Sequence, residues 1–177
     1  MKKIYAKAGT MLLLSALFLG GCGTSQDETK TAKEHTSKHE ASGGAHQEHL
    51  PHGDLREETA SAKELPGFLQ DKDEAMGVIY AAAGQNKELL ENIPCYCGCG
   101  ESVGHRDNYD CFIHENKENG AVVWDDHGTR CGVCLETAAE SINLYKSGKG
   151  IKEIRDYIDD KYKEGFAAPT PTQMPKG

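Results

Sequence analysis

Three cysteines alternate in Pro94-Cys95-Tyr96-Cys97-Gly98-Cys99-Gly100, and this run constrains the chain more than any other. Cys111 follows alone in Asp110-Cys111-Phe112, and Cys131-Gly132-Val133-Cys134 adds a CxxC. Alternate cysteines close only short, strained loops with one another. Each of the first three therefore needs either a distant disulfide partner or a shared ligand. The first solution pairs Cys95, Cys97 and Cys99 with Cys111, Cys131 and Cys134, and six cysteines allow 15 pairings that sequence does not choose among. The second uses thiolates as soft ligands, which select Cu(I) and Zn(II). Gly98 lets the backbone wrap closely between two gripping thiols. The CxxC is expected at a helix start, where the dipole lowers thiol pKa values. Cys97, Cys99, Cys131 and Cys134 then suit a four-thiolate zinc site. Cys95, Cys97, Cys99 and Cys111 suit Cu(I). A third use of the same residues is redox exchange, with Cys131 as attacking thiolate and Cys134 as its resolving partner.

Histidines extend the ligand set. His105, His114 and His127 are interleaved with the cysteines. His127 is the strongest candidate ligand, because Asp125 and Asp126 stand beside it and a carboxylate orients an imidazole and raises its basicity. The expected metal ligands are thus Cys95, Cys97, Cys99, Cys111, Cys131, Cys134 and His127. The sequence has no GxSxG, phosphate loop or HExxH to support hydrolysis or phosphoryl transfer. Binding is expected in preference to catalysis, and the cofactor expected is a copper or zinc ion.

The compartment matters to thiols, and the N-terminus names one. Lys2, Lys3 and Lys7 precede the apolar stretch Met11 to Leu19, and Leu19-Gly20-Gly21-Cys22 has the small residues of a lipidation box. This is the pattern of a secretory signal peptide over 1–21, with lipid on Cys22. The apolar run is shorter than the roughly 20 residues of a spanning helix. The chain is thus expected on the extracytoplasmic face of the cell membrane, palmitoylated and lipid-anchored. Loss of the three lysines takes the net charge from −8 to −11, a poor balance for nucleic acid.

Residues 22–66 are polar, aperiodic and His-rich (His35, His39, His46, His49 and His52) and are expected to be a disordered tether reaching about 35–40 Å. Residues 167–177, with three prolines, are expected to be a disordered tail. The folded unit is then 67–166, small enough to gain from metal or cross-links. Three helices are predicted in it. One starts at the acids Asp71, Asp73 and Glu74, carries Met76, Ile79, Tyr80 and Ala83, bends or splits at Gly84 and ends at Pro94. The second starts near Thr129 to Cys131 and carries Leu135, Ala138, Ile142 and Tyr145. The third places Ile151, Ile154, Ile158 and Tyr162 on one face. Ala121 to Trp124 reads as a short extended piece. The fold class expected is all-α: a small three-helix domain with a Gly/Cys-rich loop segment.

The run Pro94 to Cys99, with Gly104-His105, Asp110-Cys111-Phe112 and Cys131-Gly132-Val133-Cys134, resembles the PCYCGC-motif lipoproteins of Bacillus-type bacteria over residues 75–163. That resemblance implies an exported lipoprotein. More weakly, the CxxC helix followed by Ile151-Lys152-Glu153-Ile154-Arg155-Asp156-Tyr157-Ile158 is similar to the helical thiol-reductase component of cytochrome c maturation, which has no CxCxC. That similarity implies thiol–disulfide exchange with a partner in cytochrome or copper-oxidase assembly.

Overall fold

Two strands form inside the stretch expected to be tether. The computed structural model describes residues 46–175. The expected signal peptide, Cys22, His35 and His39 lie outside the described residues. Strands β1 (Gln47–His49), β2 (Leu55–Thr59), β3 (Ile113–Asn116) and β4 (Val122–Asp125) make an antiparallel sheet in the order β1-β2-β4-β3. Helices α1 (Glu74–Gln85), α2 (Lys87–Leu90), α3 (Gly100–Val103), α4 (Gly132–Lys146) and α5 (Ile151–Tyr162) complete the unit. The fold is mixed α/β, which corrects the all-α expectation.

The physical reason lies in β2, Leu55-Arg56-Glu57-Glu58-Thr59. Its charges read as a solvated linker, yet Glu57 is buried. Its carboxylate accepts from the Gly67 N–H at 2.5 Å, the Phe68 N–H at 3.3 Å and Gln47 Nε2 at 2.8 Å. A buried charge tolerated by three donors is a tertiary arrangement that local sequence does not announce. Beside it, Thr59 Oγ1 accepts from the fully buried indole of Trp124 at 2.8 Å.

The helical expectations fare better. Asp73 caps α1, accepting from the Ala75 N–H at 2.8 Å. Ile154, Ile158 and Tyr162 are buried on one face of α5, and Ala138 and Ile142 on α4. The first predicted helix does split, but at Asn86 and not at Gly84. Gly84 stays helical, and its missing side chain lets α1 approach the Trp124 ring, which a Cβ would meet at 3.0 Å. Among the described residues no helix is long and apolar enough to cross a membrane.

The core joins helices to sheet through Tyr80, whose ring meets Phe112 edge-on at 5.0 Å and whose hydroxyl donates to the Asp125 carbonyl at 2.9 Å. The proline-rich end carries no helix or strand through residue 175. It is nonetheless clasped to the cysteine run: the Thr170 N–H donates to the Cys95 carbonyl at 3.0 Å, and the Cys95 N–H donates to Thr170 Oγ1 at 2.9 Å.

Candidate metal centre

Local structure delivers the cysteines from three directions. The run 94–99 is a loop between α2 and α3, in which Gly98 takes φ 78°. That left-handed conformation favours glycine and reverses the chain between Cys97 and Cys99. Cys111 closes a single 3-10 turn, Tyr109–Cys111. Cys131 is the N-cap of α4 and Cys134 lies in its first turn, as the CxxC predicts. The side-chain amide of buried Asn108 donates to the Cys134 carbonyl at 3.3 Å, and its N–H donates to the Ile93 carbonyl at 2.8 Å. Asn108 so fastens the Cys111 turn to both other cysteine segments.

Five sulfurs converge. Cys95 Sγ lies 3.6 Å from Cys134 Sγ, 3.6 Å from Cys111 Sγ and 3.0 Å from Cys97 Sγ. A disulfide needs about 2.05 Å, and all six described cysteines are free thiols. Two ligand groups result, each with its donor atoms within 4.8 Å of one another: Cys97, His127, Cys131 and Cys134, and Cys95, Cys111 and Cys134. Cys95, Cys111 and Cys134 are buried, while Cys97 and Cys131 are half-buried. Cys99 is the sequence-predicted ligand that the fold leaves out. Cys99 lines a surface cleft of about 530 Å³, with His52, Asp54, His127, Arg130 and Cys131. His114 sits exposed on β3, outside these groups.

His127 joins the thiolates, but not through the carboxylates beside it. Asp125 accepts from the His127 backbone N–H at 2.9 Å and so caps the 3-10 turn Asp126–Arg130. Asp126 accepts from the Leu55 N–H at 2.7 Å, holding β2 to that turn. The carboxylate facing the ring belongs to Asp54, whose Oδ2 lies 3.4 Å from His127 Nδ1. Asp54 is also paired with Arg130 and lies 3.1 Å from His52 Nε2. With Nδ1 facing a carboxylate, Nε2 is the atom left for a metal, and it is buried with no hydrogen-bond partner. His105 stands edge-on to His127 at 4.7 Å, with its Nδ1 likewise unpartnered. Asp54 was missed by sequence reading; its only trace is the turn His52-Gly53-Asp54, with Gly53 at φ 93°.

The electrostatics divide the thiols by role. Hydrogen bonds from Cys131 and Cys134, with help from His127, hold Cys97 down to about 4 against the cost of burial. His127 is pushed up to about 9, chiefly by Cys97 and then by Asp54, against desolvation. Without metal, Cys97 and His127 are therefore a thiolate–imidazolium pair at neutral pH. Contact with the other thiols, Cys111 first, pushes Cys134 well above the ordinary thiol range. Burial and the nearby His127 hold His105 below its usual value, leaving it neutral. The ensemble is compatible with a bound metal ion: soft donors, one imidazole and one thiolate already ionised.

A family model described as "Protein of unknown function with PCYCGC motif" matches residues 11–175. No curated protein and no solved structure matches the chain significantly.

Proposed function

Because the chain belongs to the PCYCGC-motif family of proteins of unknown function, its chemistry has to be sought in the site, and we propose that it is a membrane-anchored extracytoplasmic lipoprotein that binds a thiophilic metal ion, copper or zinc, for handling or delivery. The observation that carries the reading is the convergence of five thiols and one imidazole on a single spot. A stapled domain would bring sulfurs together as separate pairs. Here Cys95 contacts three different thiols, of which a disulfide would use only one. The spacing of 3.6 Å is near the roughly 3.8 Å that a tetrahedral ion with 2.3 Å metal–sulfur bonds imposes. Lipid on Cys22 would hold this centre at the outer membrane face.

The test is elemental analysis of the purified reduced chain with a parallel thiol count. Bound copper or zinc that is lost in Cys97→Ser supports the reading. Three disulfides and no metal under any redox condition would sink it. Incorporation of labelled palmitate, abolished by Cys22→Ser, tests the anchor separately.

Exchange chemistry through Cys131 and Cys134, serving cytochrome or copper-oxidase assembly, is the enzymatic alternative. It draws on the position of Cys131 at the start of α4 and on the open cleft. A Cys131–Cys134 potential well below about −300 mV would mark the pair as non-exchanging.

A further inference from the structure

The two ligand groups share one atom, Cys134 Sγ. Resting on the metal-binding reading above, we infer that the centre holds two Cu(I) ions bridged by the Cys134 thiolate. The outer position is made by Cys97, Cys131, Cys134 and His127, three sulfurs and a nitrogen, with Cys97 and Cys131 half-buried and Cys131 and His127 lining the cleft. The inner position is made by Cys95, Cys111 and Cys134, each buried. Among the described residues no fourth Cys, His, Asp or Glu donor lies within 4.8 Å of all three. The three thiols are also part of the apolar core, with Phe112 and Tyr96.

That inner donor set decides the ion. Zinc in a closed site takes four ligands, and the inner group offers three. Cu(I) takes soft thiolates and is satisfied by three. Sulfur–sulfur distances of 3.6 Å along two edges of the inner triangle already match ligation of one ion between them. One sulfur in both groups means that both ions sit within a bond of the same atom. A thiolate has lone pairs for two metals, and sharing it lets five thiolates serve two ions where two closed sites would need more. Cys134 lies in the first turn of α4, where the helix N-terminus favours the negative charge of the bridge. Each arriving Cu(I) displaces thiol protons to solvent, and no electron is transferred. Cys99, in neither group, sits at the cleft and is not a ligand of the pair.

The full chain, reduced and loaded anaerobically from a Cu(I)-buffered chelator, is to be weighed by native mass spectrometry and probed by copper X-ray absorption. Two Cu(I) per chain and a copper–copper scattering vector are expected. Cys134→Ser is expected to hold one copper and lose the vector, and Cys99→Ser to keep both ions. The copper–copper vector is read on the unaltered protein, so a misfolded variant does not blunt the test. A single copper per chain, two coppers without the vector, or two bridged coppers retained in Cys134→Ser each overturn the bridged pair while leaving metal binding intact. No copper and no zinc at all overturns metal binding itself.

Discussion

Asp54 Oδ2 lies 3.4 Å from His127 Nδ1, although 73 positions (127 − 54) separate the two residues along the chain. Asp54 belongs to the turn between β1 and β2, and His127 to the turn that follows β4. Pairing of β2 with β4 is what brings them together. The contact orients the ring and leaves Nε2 of His127 buried without a hydrogen-bond partner.

Asp54→Asn keeps the shape and removes the charge. The expected outcome is metal affinity weaker by about 10–100-fold with the stoichiometry unchanged, since partners that orient a ligand typically contribute that much. Competition against a chelator of known affinity measures it. Unchanged affinity would show that His127 does not depend on Asp54.

Gly128 carries no side chain because there is no room for one. A Cβ would lie 2.8 Å from the Phe112 ring and 2.9 Å from the Tyr80 hydroxyl. Gly128→Ala is expected to destabilise the metal-free protein by about 1–3 kcal/mol, as overpacking of a tight interior does. Thermal unfolding reads the loss, and a wild-type melting temperature would contradict the packing.

Residues 46–59 are expected to be indispensable. A chain starting at residue 67 lacks β1 and β2, which exposes Trp124, otherwise fully buried. Its tryptophan fluorescence should shift to the red and its unfolding lose cooperativity. A chain starting at residue 46 should keep the unshifted fluorescence and the cooperative unfolding. Equal behaviour of the two would mean that the sheet is not part of the stable unit.

Cys99→Ser and alkylation give complementary readings of one position. In the metal-loaded Cys22→Ser chain, a maleimide is expected to label a single thiol, Cys99, because the other five, which fall in the two candidate ligand groups, would be held by metal. Peptide mapping locates the label. Modification at Cys97 or Cys131 instead would place Cys99 inside the centre.

The reduced, metal-free protein should show a pH signature of the Cys97–His127 pair. Cys97 falls from 9.0 to about 4 on folding, which favours the folded state as pH rises from about 4 toward 9. His127 rises from 6.5 to about 9, which favours the folded state below 6.5 and is lost as pH climbs through about 9. Between 6.5 and 9 the two effects oppose each other, because folded and unfolded chains bind the same number of protons at this pair. The stability difference between wild type and Cys97→Ser is therefore expected to grow from pH 4 to 6.5 and then to level off. Chemical denaturation across that range checks it, and a difference still climbing steeply at pH 8 would refute the pairing.

Helices were legible where burial follows a period of 3.6 along the chain. Ile154, Ile158 and Tyr162 on α5 needed nothing beyond their own spacing. Of the strands, only β4 was legible, in the extended piece Ala121 to Trp124; β2 was not, because it buries a glutamate held by donors from Gly67, Phe68 and Gln47. Propensity describes a residue with its neighbours in sequence, and Glu57 is explained by neighbours in space.

The cysteine run, the CxxC at a helix start and the left-handed Gly98 belong to the sequence itself, since spacing, helix capping and backbone freedom are local properties. Which thiols meet is a tertiary outcome. The fold brought Cys95, Cys97, Cys111, Cys131 and Cys134 together and placed Cys99 at the cleft. It also supplied Asp54 in place of Asp125 and Asp126 as the carboxylate facing His127. The reason is distance along the chain: a sheet closing β2 onto β4 joins segments about seventy residues apart, and no local pattern encodes where such a closure places a side chain.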